Sequence, residues 1–141
     1  MAFRVTIKGV EQMKGRLNLM GLKLEGNLQN ALMEEMKTEQ EEVIRRIPKD
    51  TRALSQSTEL FEGVRKGSPN RKGIVAATIT VGNDLTNPKT GRRTADYAIQ
   101  VHEDLEAHHN EGQAKFLEST LKEAAPYMAD RVIRRLDKKL G

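Results

Sequence analysis

The sequence predicts an α+β fold, a small antiparallel sheet of about four strands packed against a long N-terminal helix and a C-terminal helix. Three observations predict it. Apolar residues alternate with polar ones in short runs at 3–7, 75–81 and 95–101, the period of half-buried strands. Two longer stretches repeat apolar residues every three or four positions, the period of an amphipathic helix. The order strand, helix, strands, helix shows no internal repeat and no linker, which predicts one domain over 1–141 with helices on one side of the sheet.

Phe3, Val5 and Ile7 alternate with Arg4, Thr6 and Lys8, and Gly9 ends this first strand. Val10, Met13, Leu17, Met20, Leu24, Leu28 and Leu32 then form one helical stripe. Gly15, Gly21 and Gly26 each cost about 1 kcal/mol against Ala in a helix, so a break or bend near Gly21 is expected. Beyond it, strong helix formers run to Pro48, with Glu41–Arg45 and Glu42–Arg46 at favourable i, i+4 spacing. Pro48 stops the helix, because the residue before a proline is pushed out of the helical region. A helix over 22–47 is about 39 Å long, so its outer end needs a neighbour. Asp50 or Thr51 can cap a short helical turn, and Leu60, Phe61 and Val64 predict a strand. "GSPNRKG" carries turn chemistry, and Val75, Ala77, Ile79 and Val81 predict the returning strand of a hairpin with a basic, exposed tip. The polar loop "GNDLTNPKTGRRTAD" follows, and Ala95, Tyr97, Ile99 and Val101 predict a further strand. Leu117, Leu121, Ala124, Met128, Val132 and Leu136 mark the last helix, which Pro126 should kink or restart.

Composition narrows the function. The chain has 141 residues, 37% hydrophobic and 31% charged, with five aromatic side chains and no Trp. So small a core under so polar a surface predicts that partner subunits complete the stability. The 24 cationic residues face 20 anionic ones, less segregated than in a dedicated DNA-binding domain. Cysteine is absent, which removes disulfides and thiolate metal sites. The N-terminus alternates apolar and polar residues without a secretory core, and no run approaches the roughly 20 apolar residues of a bilayer span. The expectation is a soluble chain made in the cytoplasm, with no membrane contact.

Catalytic and metal signatures fail in turn. His102, His108 and His109 are the only histidines. A helical zinc protease needs H-E-x-x-H, two imidazoles on one face with a Glu between them as base. Here "HEDLE" at 102–106 puts Glu106 in the second histidine position. A loop-borne site from His102, His108 or His109 and one carboxylate is the alternative. Scattered His and Glu without ligand spacing favour surface or interface groups instead. No G-x-S-x-G elbow, phosphate-binding loop or G-x-G-x-x-G occurs. The sequence predicts no enzyme, no cofactor and no metal.

The ordered landmarks "RRIPKDTRALSQST", "TITVGND" and "ADYAIQVHEDLEAHHNEGQAKFLESTLKEAAP" together resemble the neck and tail-completion proteins of long-tailed bacteriophages. Members of that family are often labelled minor capsid, tail-component or head–tail joining proteins. Their pattern is Pro-x-Asp-Thr-Gly-x-Leu after the first long helix, a Tyr-Ala strand ending in an acidic residue, and a Phe-Leu pair opening the last helix. Pro48, Asp50, Thr51 and Leu54 match the first element, Tyr97, Ala98, Val101 and Glu103 the second, and Phe116 and Leu117 the third. Arg52 departs from the pattern, standing where Gly is usual, so the family's backbone turn is not carried over to it. The resemblance covers about residues 20 to 136.

It implies a structural protein of the virion, assembled in the bacterial cytoplasm. Subunits would form a homo-oligomeric ring in the neck between head-closure proteins and the tail tube or tail terminator, with DNA passing through without specific binding. A tail terminator or minor capsid component of the same particle is the nearest alternative. A small DNA-binding packaging accessory protein is the alternative of another class. Ring contacts are heterologous, one patch meeting a different patch on the next subunit. The stretches expected there are the 66–73 hairpin tip with Arg71 and Lys72, the 83–94 loop with Lys89, Arg92 and Arg93, and the 103–112 loop. Glu103, His108 and His109 belong to the last of these, with His102 just before it. Gly112 is expected to turn the chain out of the histidine loop, and Phe116 and Leu117 to cover the sheet face bearing Tyr97 and Ile99. Arg131, Arg134, Arg135, Lys138 and Lys139 are expected to complement the helix C-terminus and acidic neighbours.

Overall fold

The computed structural model describes residues 1–10, 21–49, 52–68, 70, 71, 73–104 and 115–140, with the backbone alone at 21–23. Strand β1 (Ala2–Ile7) is followed by helix α1 (Gly21–Arg46), the single-turn helix α2 (Ala53–Gln56), strands β2 (Glu59–Glu62) and β3 (Val75–Thr80), helix α3 (Thr94–Glu103) and helix α4 (Phe116–Leu140). The fold mixes helix and sheet: the described residues form four helices and one antiparallel sheet of order β1-β3-β2. Expected breaks near Gly21 depend on residues 11–20, which lie outside the described residues.

Central β3 takes β1 on one side, with Phe3 opposite Ile79, and β2 on the other, with Leu60 opposite the same Ile79. One sheet face, with Phe3, Val75, Ala77 and Ile79, lies in the core beside Leu28, Leu32 and Met36 of α1. Helix α4 packs along α1 in the opposite direction, burying Phe116, Leu117, Ala124, Met128, Val132 and Leu136. Ion pairs line this seam from end to end. Arg46 near the end of α1 reaches Ser119 Oγ at 3.0 Å and pairs with Glu123, Glu39 meets Arg131 at 3.4 Å, and Glu34 meets Lys139 at 2.7 Å.

Two expectations about elements are corrected. Residues 95–101 were expected as a fourth strand, but they lie in α3, and the described residues contain three strands. Thr94, Ala98 and His102, four apart, are the residues α3 buries, while Ile99 is 61% exposed. A seven-residue alternation fits a strand, but its i, i+4 residues also fit a helix. Asp96 in the first turn favours the helix by facing its positive end. Of the two outcomes expected of Pro126, a restart is ruled out, since α4 runs unbroken to Leu140. Pro126 and Lys122 are both exposed, so the Lys122 carbonyl that loses its amide partner lies on the side water reaches.

The seam carries two opposed carboxylates. Hydrogen bonds from Arg45, and then from Arg46, outweigh partial burial and lower Glu42 from 4.5 to about 2. Burial first, and then the charge of Glu35, raises Glu39 despite Arg131. Glu42 therefore adds stability above its unfolded value near 4.5, which is lost as pH falls toward 2. Glu39 contributes in the opposite sense: its share is full below its unfolded value and is lost as pH rises through the raised folded value. Glu42→Gln is expected to lower stability at pH 7 and to flatten its loss between pH 4.5 and 2, as read by urea midpoints across pH. Glu39→Gln is expected to leave the pH 7 midpoint at or above the wild-type value. A steeper acid limb in Glu42→Gln would refute the assignment.

Candidate functional site

Three regions gather the residues expected to act. At the first, α3 ends against the start of α4. His102, expected as a surface or interface group, is 4% exposed, a correction with a clear cause. Its ring stands edge-on to Phe116, with centroids 4.8 Å apart. Nε2 accepts the backbone N–H of Glu118 at 3.2 Å, one of the amides a helix N-terminus leaves without an intrahelical partner. Nδ1 then carries the proton and faces Glu103 Oε1 at 2.9 Å. The His102 carbonyl accepts Lys115 N–H at 2.6 Å, where the backbone takes a left-handed φ of 56°. The Lys115 ammonium pairs with Glu103, and this bond, ahead of the one to His102, holds Glu103 below the usual carboxylate range. His102 is thus a lateral cap that fastens α4 to α3. Phe116 is fully buried and Leu117 nearly so, but Tyr97 and Ile99, the residues they were expected to cover, lie in a helix, where Phe116 meets the His102 ring.

The second region is the 83–94 connection, which is internally tied rather than loose. Thr86 and Arg93 form a β-bridge, and Arg93 pairs with Asp84 and Asp96, each at 2.9 Å. Arg92 bonds the Asp96 carbonyl at 3.2 Å and lies 5.6 Å over the Tyr97 ring. Both arginines, expected at an interface, hold the connection onto α3. Lys89 is exposed without an ion-pair partner among the described residues. Tyr97 is half-buried, and its hydroxyl has no hydrogen-bond partner among them.

At the third region a cleft of about 510 Å³ opens at one end of the sheet, lined by Thr6, Lys8, Val64, Arg65, Ser68, Asn70, Arg71 and Ile74. Arg71 was expected at a contact surface. Lys8 and Arg65 were not, since only the pairing of β1 and β2 on opposite sides of β3 brings them near it. The side chains of Lys8, Arg65 and Arg71 are exposed, and none has a carboxylate partner among the described residues.

Lys72, His108, His109 and Gly112 lie outside the described residues. Among the described residues, no group of three or more His, Asp or Glu side chains could hold a metal ion, and no helix is long and apolar enough to cross a membrane. Of the basic residues of α4, Arg131, Arg135 and Lys139 pair with acidic residues of α1. Arg134 and Lys138 are exposed without partners among the described residues.

Comparison with family models, curated proteins and solved structures returned no match.

Proposed function

We propose that this chain is a structural protein of a tailed phage particle, a ring-forming adaptor in the neck that joins head-closure proteins to the tail and catalyses nothing. The observation that carries the reading is the backbone at Arg52. The phage pattern places Gly there, between Asp-Thr and a following Leu. Arg52 has φ 64° and ψ −4°, the left-handed region that Gly enters freely and other residues enter at a cost. Leu54, the matching Leu, is buried two residues on. A glycine would suit this position better than Arg52 does, which supports the match to the Pro-x-Asp-Thr-Gly-x-Leu pattern.

Arg52→Gly is therefore expected to raise stability by about 0.5–1 kcal/mol, since relief of the left-handed strain exceeds the added freedom of the unfolded chain. A lower urea midpoint would remove this support.

The surfaces are consistent with an adaptor. Both outer strands, β1 and β2, have one unpaired edge among the described residues. Ile99 and Ile133 at 61% exposure and Tyr127 at 58% put large apolar groups outside. The test is sedimentation of the purified chain, alone and with its head-closure and tail-tube neighbours, followed by negative-stain imaging. The adaptor reading expects rings at the head–tail junction. Location at the tail tip or on the capsid shell would shift the role to terminator or minor capsid component, and failure to associate with either neighbour would reject it.

A further inference from the structure

We propose that the cleft at the end of the sheet binds the phosphate backbone of double-stranded nucleic acid through Lys8, Arg65 and Arg71. Three features lead there. The first is charge without compensation. Elsewhere the described cations largely find carboxylates: Arg45 and Arg46 on Glu42, Lys66 on Glu59, Arg93 on Asp84 and Asp96, Lys122 on Glu118. Among the described residues the cleft gathers three cations that have no such partner, and no described carboxylate lines it. Like charges held together repel, and an anion drawn from solution relieves that repulsion.

The second feature is that the cations are held on fixed backbone. Ile7 pairs with Val75, which sets Lys8 beside the start of β3. On the other side of β3, Gly63 continues β2, its N–H donating to the Ala76 carbonyl at 2.8 Å and its own carbonyl accepting Thr78 Oγ1 at 2.8 Å. Arg65 and Arg71 each open a tight turn, their carbonyls accepting Ser68 N–H at 3.1 Å and Ile74 N–H at 3.0 Å. Asn70 is tied to α1 through Gln29, at 2.7 Å, and Gln29 in turn donates to the Ala76 carbonyl at 3.1 Å. Only the long side chains remain to be ordered by a ligand.

The third feature is what the rest of the lining offers. Thr6, Ser68 and Asn70 present neutral hydrogen-bonding groups, and Val64 and Ile74 are aliphatic. With no aromatic ring among the described lining residues, they offer no platform on which an unpaired base can stack. The chemistry fits backbone phosphates of a duplex, read without regard to sequence. Three phosphate contacts give weak, salt-sensitive binding, in the non-specific range of roughly 10⁻⁴ to 10⁻⁶ M. Contact of that strength permits DNA to move past the protein. The site belongs to a single subunit, so it stands or falls separately from the ring.

The experiment is fluorescence anisotropy of a labelled DNA duplex, titrated with the full chain across a sodium chloride series. The wild type is expected to give a slope of log K against log salt of about −2.7, from three phosphates at about −0.9 each. Lys8→Ala, Arg65→Ala and Arg71→Ala should each reduce that slope by about one, and the triple variant should bring it near zero. The double variant Arg134→Ala, Lys138→Ala, on the exposed side of α4, should keep the wild-type slope. Denaturation midpoints establish that each variant is folded, and the single variants serve if the triple one is not. Absence of wild-type binding, an unchanged slope in the cleft variants, or loss through Arg134 and Lys138 instead would overturn the proposal. Equal binding of polyglutamate would overturn it too, by showing a surface for an acidic protein.

Discussion

Phe116→Ala is expected to lower the free energy of unfolding by about 3–5 kcal/mol. Phe116 is the largest side chain that the described core buries completely. It is also the first residue of α4, so its loss acts at the helix start as well as in the core. The His102 ring would lose its edge-on partner at 4.8 Å, and with it the support that aims Nε2 at the Glu118 amide. Since domains of this size are stable by only about 5–15 kcal/mol, the variant should sit near its unfolding transition at ordinary temperature. Urea denaturation followed by circular dichroism measures this directly. A midpoint equal to wild type would show that Phe116 does not join α4 to the core.

Gly82→Ala should cost about 2–5 kcal/mol, adding strain at a left-handed φ to overpacking. Gly82 follows β3 with φ +94°, where the chain passes the first turn of α3. A methyl group there would stand 3.1 Å from the Ala95 Cα, the Ala98 Cβ and the Thr94 carbonyl oxygen. Two of these are backbone atoms of a helix that cannot give without moving its whole turn. The Gly82 N–H also donates to Ser57 Oγ at 3.0 Å, so a shift disturbs the end of α2. Gly67→Ala supplies the comparison, since φ is +79° there and nothing lies within 4 Å of the added carbon. It should lose only about 1 kcal/mol, from strain alone. Equal midpoints for the two variants would mean that the approach of α3 to Gly82 is not tight.

These two positions also show what a sequence can reveal. The hairpin of β2 and β3 was legible because Leu60, Phe61 and the run from Val75 to Val81 flank plain turn chemistry. Helix α3 was not, because its buried residues Thr94, Ala98 and His102 carry almost no hydrophobic signal, whereas Tyr97, Ile99 and Val101 advertise a strand. His102 misled for the same reason. Its burial comes from Phe116, fourteen residues away in the chain, and no local pattern announces that contact. Phe116 and Leu117 were recognisable as buried, but what they pack against depended on the misread element.

The cleft lay further out of reach. Lys8, Arg65 and Arg71 are ordinary exposed cations one at a time, and they meet only through the pairing of β1 and β2 on β3. Likewise, Tyr97, Asp84 and Asp96 became visible as the partners of Arg92 and Arg93 only once the fold supplied them. Residues close in sequence gave away turns and helix faces, while charge pairing required the tertiary structure.

The adaptor role is tested most directly by counting joined particles made in cells that lack only this chain. Filled heads and finished tails that stay separate are expected, with infectivity restored when the purified protein is added back. Normal numbers of joined, infectious particles in its absence would contradict it.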